Sequence, residues 1–175
     1  MVDASGSRTF CPAIFLDDIF FMRIDEVVTV RQKAGVIPYY FDSKNILRMM
    51  FMTPSDPKYG GSQFQIAKGR IEAGEDVQQA AIRESEEELG LLPTNVIQVK
   101  SLGTRTITGL DETYQLTVFV AEIKNPKAFG PTDFETGDRA WLTLEQFVAK
   151  GRQSQLAIVQ QANNILRADG RDQRP

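Results

Sequence analysis

From residue 34 onward, short stretches rich in apolar residues are bounded by turn residues, which is the pattern of β-strands, and residues 114–120 also alternate with period two. Residues 35–41 and 46–52 form two such stretches, and the polar residues 42–45 between them predict a hairpin turn. Because Pro38 lacks an amide hydrogen, we expect the first strand to lie at a sheet edge or to contain a bulge. Further strands are predicted at residues 63–67, 96–108, 114–120 and 140–142, the second of these as one strand or two.

Capping residues and helical spacing of apolar residues predict three helices. The first covers residues 77–89, where Asp76 is a suitable N-cap and Gly90 can adopt the left-handed conformation that ends a helix. The other two are predicted from a capping box at Thr143 to about residue 150, and over about residues 154–168. Strands interleaved with these helices predict an α/β fold, in which a mixed sheet is covered on both faces.

The chain divides into three predicted parts. Residues 34–168 carry the regular pattern of strands and helices, and we expect them to form one domain. Residues 1–33 are predicted to form an N-terminal extension or arm, of which residues 14–22 are expected to be partly buried. The alternative is a homodimer contact through three aromatic residues of that arm, Phe15, Phe20 and Phe21. Residues 169–175 are predicted to be a flexible polar tail.

The composition is that of an ordinary soluble globular protein, with 42% hydrophobic and 25% charged residues among 175. The net charge of −3 gives no general attraction to nucleic acids or anionic membranes. No apolar run approaches the ~18–20 residues that a membrane-spanning helix needs, and no signal-peptide pattern is present. We therefore expect a cytoplasmic protein with no membrane partner.

The chain contains no histidine and a single cysteine, Cys11. Intrachain disulfides, Cys-based zinc sites and histidine metal ligands are therefore excluded. Nucleophilic schemes that use a Ser-His-Asp triad or a Cys-His pair are excluded as well. Any acid-base or metal chemistry must rest largely on carboxylates.

Three glutamates of the first predicted helix share one face. Glu84, Glu87 and Glu88 are three or four residues apart, which brings side chains together on a helix surface, whereas Glu86 points elsewhere. One interpretation is a solvated acidic helix, the usual meaning of a charge run. The other is a site for a hard cation such as Mg²⁺, which prefers oxygen ligands and binds through carboxylates together with substrate phosphates.

The residues around these glutamates favour the metal site. Residues 69–91 fit the pattern Gly-x5-Glu-x7-Arg-Glu-U-x-Glu-Glu-x-Gly-U, where U is a bulky aliphatic residue. Seven fixed identities, each at about 5–7% frequency, coincide by chance on the order of once in 10⁸ positions. This pattern is the Nudix box, and the chain resembles a Nudix hydrolase through Gly69, Glu75, Arg83, Glu84, Glu87, Glu88, Gly90 and Leu91. One residue departs from it, because Ser85 occupies the first aliphatic position, on the packing side of the helix.

The resemblance implies a fold, a reaction and a cofactor. The fold is the Nudix α/β/α sandwich with a mixed central sheet, covering residues 34–168. The reaction is hydrolysis of a nucleoside diphosphate linked to another moiety, with water attacking phosphorus. The implied cofactor is Mg²⁺, with Mn²⁺ as the alternative, held by Glu84, Glu87 and Glu88.

The resemblance also implies roles for other residues. Glu87, Glu135 and Arg83 form the predicted catalytic set, in which either Glu87 or Glu135 activates water and the choice is open. Arg83 is expected to pair with Glu75 and so orient the carboxylates. Glu75, Gly69 and Gly90 are the predicted structural support of the site.

Substrate contacts are predicted on both sides of the opening glycine. Lys68 and Arg70 could neutralise phosphate oxygens, or could be plain surface charges. The Lys-Gly pair resembles the entry to the box in Nudix enzymes that act on dinucleoside polyphosphates, although Ala67 stands where a proline is usual. Tyr59 lies in a predicted loop at residues 53–62, and would stack on a base if that loop acts as a lid. Two acids of a later turn, Asp111 and Glu112, are predicted to be solvated, with metal ligation as the alternative.

Several substrates and two other classes of function stay open at this point. The substrate could be ADP-ribose, a dinucleotide cofactor, a dinucleoside polyphosphate, a nucleoside triphosphate or a capped RNA end; apart from the last, no nucleic acid partner is expected. The chain could instead be a nucleotide-binding regulator with a Nudix fold and no turnover. A third hypothesis is an interaction module built around the N-terminal arm.

Overall fold

The computed structural model describes residues 30–59, 61–108 and 113–172. Within these ranges the chain forms six strands and three α-helices. The strands are β1 Arg31–Phe41, β2 Leu47–Pro54, β3 Ala67–Arg70, β4 Val96–Thr108, β5 Thr113–Ile123 and β6 Thr136–Leu142, and the helices are α1 Val77–Leu89, α2 Leu144–Lys150 and α3 Leu156–Asp172. The aromatic residues of the predicted arm and the turn acids Asp111 and Glu112 lie outside the described residues.

The six strands form one mixed sheet in the order β4-β5-β1-β2-β6, with β3 also paired to β1. The β1–β5 pair is parallel, from Arg31 opposite Tyr114 to Tyr39 opposite Glu122, and the other pairs are antiparallel. Strands β1 and β2 form the predicted hairpin. In its turn the Asp42 carboxylate accepts hydrogen bonds from the amides of Lys44 and Ile46.

The position of β1 corrects the prediction made from Pro38. β1 lies in the middle of the sheet rather than at an edge, with β5 on one side and two short partners on the other. On that second side, β1 pairs with β3 up to Val36 and with β2 from Tyr39 onward. Pro38 falls between the two partners, where no residue pairs with it on that side, so a missing amide hydrogen is tolerated there.

Two other strands differ from their predicted bounds. The strand predicted at residues 63–67 is observed as β3, which begins at Ala67 and therefore contains Lys68 and Gly69. Residues 64 and 65 make only isolated bridges. β6 starts at Thr136 rather than near residue 140, and its first residues are mostly exposed. An apolar pattern does not reveal a strand segment that has no buried side chains.

Apolar side chains cover both faces of the sheet. Along β5, Leu116, Val118 and Val120 pack in one cluster with residues of α2 and α3, whereas Phe119, Ala121 and Ile123 pack in the other with Ala80 and Ala81 of α1. Because side chains alternate across a strand, the two clusters lie on opposite faces. The predicted α/β/α sandwich with a mixed sheet is confirmed.

The helix ends follow their capping residues. Asp76 accepts hydrogen bonds from the amides of Gln78 and Gln79, and Gly90 ends α1 with a φ of 66°. Thr143 and Gln146 form the complete predicted capping box of α2. The last helix begins two residues later and ends four residues later than predicted. No helix in the described part of the chain is long and apolar enough to cross a membrane.

Candidate active site

Helix α1 places its glutamates by packing small residues against the sheet. Ala80 and Ala81 are fully buried in the same cluster as Ala34 and Val36 of β1. Because neither alanine extends beyond Cβ, the helix can approach β1 and the adjacent β3 closely. This packing brings Glu88 to the amide of Lys68 and Glu84 to Gly69, both in β3.

Gly69 lies directly beneath the carboxylate of Glu84. A Cβ atom at this position would overlap the Glu84 carboxylate oxygens and Cδ. Any other residue would have to move that carboxylate, because β3 holds the backbone of Gly69 opposite Ala34. The predicted supporting role of Gly69 thus has a steric basis in this structure.

Arg83 joins three of the box carboxylates. Its Nε and Nη2 atoms donate to the two oxygens of Glu75 at 2.9 Å and 3.0 Å, so the predicted ion pair is present and bidentate. Its Nη1 donates to Glu84 at 2.8 Å and lies 3.4 Å from Glu87. Nη2 also reaches the carbonyl of Arg70, 3.0 Å away. Arg83 therefore ties the loop after β3 to the acidic face of α1.

This network changes the acidity of both partners. The hydrogen bonds from Arg83, followed by the amide of Glu72, hold the pKa of Glu75 below its ordinary value. The hydrogen bonds that Arg83 donates to Glu75 raise the pKa of Arg83, so the guanidinium stays charged. Charge-assisted bidentate pairs of this kind fix geometry as well as charge.

Glu88 is the most deeply buried of the three predicted ligands. The amide of Lys68 donates to its Oε2 at 2.6 Å, which fixes the carboxylate against β3. Burial raises the pKa of Glu88 to about 7, an effect that the charge and amide of Lys68 oppose. The charges of Glu84 and Asp133 raise it further.

The other two predicted ligands differ in exposure. Burial raises the pKa of Glu84, and the hydrogen bond from Arg83 partly offsets this effect. The side chain of Glu87 is 48% exposed. Within the described residues, no group of three or more acidic side chains converges as a ready-made metal site.

Ser85 takes the place of an aliphatic residue without leaving a polar atom unpaired. Its side chain is fully buried, and its hydroxyl donates to the carbonyl of Ala81, one turn earlier, at 2.9 Å. A buried hydroxyl with such a partner avoids most of the cost of losing water. The departure from the box pattern is therefore accommodated within α1 itself.

Backbone hydrogen bonds at the end of α1 hold the 124–135 segment next to the site. The carbonyl of Gly90 accepts a hydrogen bond from Gly130, and a Cβ at Gly90 would overlap the backbone of Gly130 and Pro131. Further along, the amide of Asp133 donates to the carbonyl of Glu87 at 2.8 Å. These contacts bring Glu135, distant in sequence, to the same region as the box.

A cavity of about 540 Å³ lies beside Glu88. Three of the predicted site residues line it, Lys68, Glu88 and Glu135. Its other lining residues are Lys33, Met52, Pro54, Ser55, Asp56, Gln65, Tyr114, Phe134 and Arg152. The volume falls in the range of small-molecule sites, about 300–1,000 Å³.

Several of these lining residues were not predicted from the sequence. Lys33 comes from β1, with its Nζ 4.4 Å from the ring centroid of Tyr114 on β5. Arg152 follows α2 and is held there because its amide donates to the carbonyl of Phe64. No local motif surrounds either cation, and only the tertiary structure brings them to the cavity. For Phe134, the one sequence feature that could have indicated a place at the site is its position next to Glu135 in a long predicted loop.

Two residues predicted to contact substrate, Arg70 and Tyr59, are not among the residues that line the cavity. The side chain of Arg70 is exposed, and its backbone carbonyl serves Arg83. The side chain of Tyr59 lies outside what the structure describes, although its backbone ends a short 3₁₀ turn at Pro57–Tyr59.

Solved structures similar to this chain have the same fold. The structure described as a C. elegans Ap4A hydrolase binary complex has a TM-score of 0.66 at 20% identity, covering 79% of this chain and 99% of that one. The Nudix domain of Shewanella oneidensis NrtR, complexed with ADP ribose, has a TM-score of 0.66 at 14% identity, covering 78% and 88%. RenU, a Nudix hydrolase from M. smegmatis, has a TM-score of 0.63 at 16% identity, covering 79% and 86%. At these identities the likeness establishes the fold alone.

Sequence comparisons give one match. The comparison with curated proteins finds no relative. The family model of the NUDIX domain matches residues 30–162, well over half of the chain and inclusive of the whole box. On that match, and with the box residues arranged as described above, the chain belongs to the Nudix family.

Proposed function

We propose that this protein is a metal-dependent hydrolase that cleaves the pyrophosphate bond of a nucleoside diphosphate linked to another moiety. The observation that carries the proposal is the position of Glu88. Its buried carboxylate lies on the box helix and also lines a cavity that contains the cations Lys33, Lys68 and Arg152. Acidic groups suited to a metal and basic groups suited to phosphate thus share one site.

The carboxylates fit a hard divalent cation by their chemistry. Glu84 and Glu88 are oxygen donors whose pKa values are raised by burial, so a cation beside them would stabilise their charged forms. Together with Glu87 they would hold Mg²⁺ or Mn²⁺, which is the ligand set that the resemblance to the Nudix box implies. When bound, such an ion neutralises charge on phosphate oxygens and assists deprotonation of water.

The chain's own groups would carry out the remaining tasks. Lys68, Lys33 and Arg152 would bind phosphate oxygens and orient the substrate in the cavity. A carboxylate would accept a proton from the attacking water, and one bridging P–O bond of the pyrophosphate would break. Glu135 lines the cavity and Glu87 is the exposed member of the box face, so both remain candidates for this base.

The proposed substrates are nucleoside diphosphates linked to another moiety, a class that includes several compounds. Ap4A and ADP ribose are named for two structures of the same fold, so they head the set of compounds to test. The Lys68–Gly69 pair supports a dinucleoside polyphosphate, whereas Ala67 in place of proline does not.

Product analysis tests the proposal. The purified chain would be incubated with ADP-ribose, NADH, FAD, a dinucleoside tetraphosphate, nucleoside triphosphates and capped RNA, with Mg²⁺ or Mn²⁺ and with chelator. We expect cleavage of at least one compound at its pyrophosphate linkage, dependent on the metal. Tight binding of one compound without turnover would reject the hydrolase and support a nucleotide-binding regulator instead.

A further inference from the structure

Phe134 presents an unusually exposed aromatic ring beside the catalytic region. Its side chain is 86% exposed, whereas the next most exposed large hydrophobic residue of the described chain, Ile97, is 54% exposed. Single apolar residues on a surface are common and need no function. Phe134 differs from that case because it is one of the residues that line the cavity beside Glu88, and because it directly precedes Glu135 in the chain.

The backbone around Phe134 is held from two directions. The hydroxyl of Ser55 donates to the Phe134 carbonyl at 2.7 Å, and the Ser55 amide donates to the Glu135 carbonyl at 2.8 Å. On the other side, the amide of Asp133 is bonded to Glu87 of α1. The ring is therefore exposed on an anchored segment, which lowers the entropy lost when a ligand stacks on it.

The groups that line the cavity differ in chemistry. Lys68, Glu88 and Arg152 are charged, whereas Met52, Pro54 and Phe134 are apolar. A ligand that fills it should combine an anionic group with a flat apolar one. A nucleotide has both, in its phosphate and its base, and bases stack on aromatic side chains whatever their sequence identity.

We propose that Phe134 is the residue that binds the substrate's base, by stacking on it while the cavity's cations hold the phosphates. The inference rests on the proposed function for the reaction that follows, and it assigns to this ring the selection of nucleotides over other diphosphate esters. Phe134 is thus a specificity-determining residue, and Ser55 positions it.

Binding of ligands that cannot be hydrolysed tests this assignment separately from the reaction. The probes are the four nucleoside 5′-monophosphates and ribose 5-phosphate, which lacks only the base and, like them, contains no pyrophosphate bond. Titration calorimetry would be performed on the full chain and on Phe134→Ala, Phe134→Leu and Phe134→Trp. Ile97→Ala, on β4, is the control for loss of an exposed apolar side chain.

We expect at least one monophosphate to bind the wild type more tightly than ribose 5-phosphate. Phe134→Ala and Phe134→Leu should weaken that binding by about tenfold, whereas Phe134→Trp should retain it. Binding of ribose 5-phosphate should not change in any variant, and Ile97→Ala should match the wild type for every probe. The Phe134 variants should have the melting temperature of the wild type, because this residue is exposed.

Two results would overturn the inference. One is unchanged monophosphate binding in Phe134→Ala, and the other is an equal loss for ribose 5-phosphate, which would assign the residue to the loop's structure. Neither result depends on turnover. A base-dependent loss in a protein that cleaves no substrate would sustain the role of Phe134 while rejecting the hydrolase.

Discussion

At the scale of single residues, Arg83 determines how the acidic face of α1 is arranged. It reaches Glu75 with two nitrogens and Glu84 with a third, and it also touches Glu87. Lysine could supply the charge but lacks the planar fork that makes a bidentate pair. The geometry, rather than the charge alone, is therefore the property on which the site depends.

We accordingly expect Arg83→Lys to lower kcat/KM by about 10- to 100-fold, the range found when partners of metal ligands are removed. Affinity for Mn²⁺, followed by electron paramagnetic resonance, should fall with it. The matched control is Arg105→Lys. Arg105 lies on the edge strand β4, and its guanidinium donates to the side chain of Gln161 on α3. Wild-type kinetics in Arg83→Lys would show that charge alone suffices.

Glu88 makes the stability of the metal-free protein depend on pH. Its pKa in the folded state is about 7, above the ordinary value of 4.5, so the folded state holds the proton more tightly than the unfolded state. Stability from this group is then complete below pH 4.5 and is lost as the pH rises through 7. At about 1.4 kcal/mol per pKa unit, the loss is roughly 3 kcal/mol.

The measurement is the free energy of unfolding from pH 4 to pH 8 in the presence of chelator, for the wild type and Glu88→Gln. The difference between the two proteins should grow with pH in favour of Glu88→Gln, because the amide never ionises. A constant difference across this range would contradict the buried, proton-retaining carboxylate.

At the scale of elements, α1 could be predicted completely because its signals are local. Asp76, the spaced glutamates and Gly90 all act within the helix or one residue beyond it. The sheet was less predictable, because the residues of a strand do not determine which other strands pair with it. Pro38 predicts an edge or a bulge for β1, because the sequence does not show that β1 changes partner beside it.

The contact between β3 and α1 is sensitive to substitution at Gly69. Gly69→Ala should force the Glu84 carboxylate away, because a Cβ would overlap it. We expect a loss of at most about 1 kcal/mol in the free energy of unfolding, because the displaced group is the end of a flexible side chain paired with Arg83. Activity should fall by about 10-fold or more, because the predicted ligand moves.

Gly130→Ala is the matched control for this change. Its added Cβ would meet Leu92 at an ordinary contact distance of 3.5 Å. Denaturant unfolding and kcat/KM should both stay close to the wild type. Equal effects of the two substitutions would show that the Gly69 approach to Glu84 has no special importance.

At the scale of the whole molecule, the fold assembles a site from distant segments. The box supplies Glu84 and Glu88, the 124–135 segment delivers Glu135, and β1 and the segment after α2 contribute Lys33 and Arg152. The carboxylate half could be predicted because it lies in one motif with fixed spacing. Of the basic half, Lys68 could be predicted from its place beside the box. Lys33 and Arg152 could not, because they reach the cavity only through the parallel β1–β5 pair and the hydrogen bonds of residue 64 to residues 150 and 152.

The most direct test of the central claim compares Glu88→Gln with Glu86→Gln. Both replace a glutamate of α1, but Glu88 is buried at the cavity whereas Glu86 is exposed. The kcat/KM for ADP-ribose and for a dinucleoside tetraphosphate would be measured against Mg²⁺ concentration. We expect metal-dependent cleavage of at least one compound, a fall of at least about 100-fold in Glu88→Gln and little change in Glu86→Gln. An unchanged rate in Glu88→Gln, or cleavage that persists in chelator, would contradict the carboxylate-based, metal-dependent site.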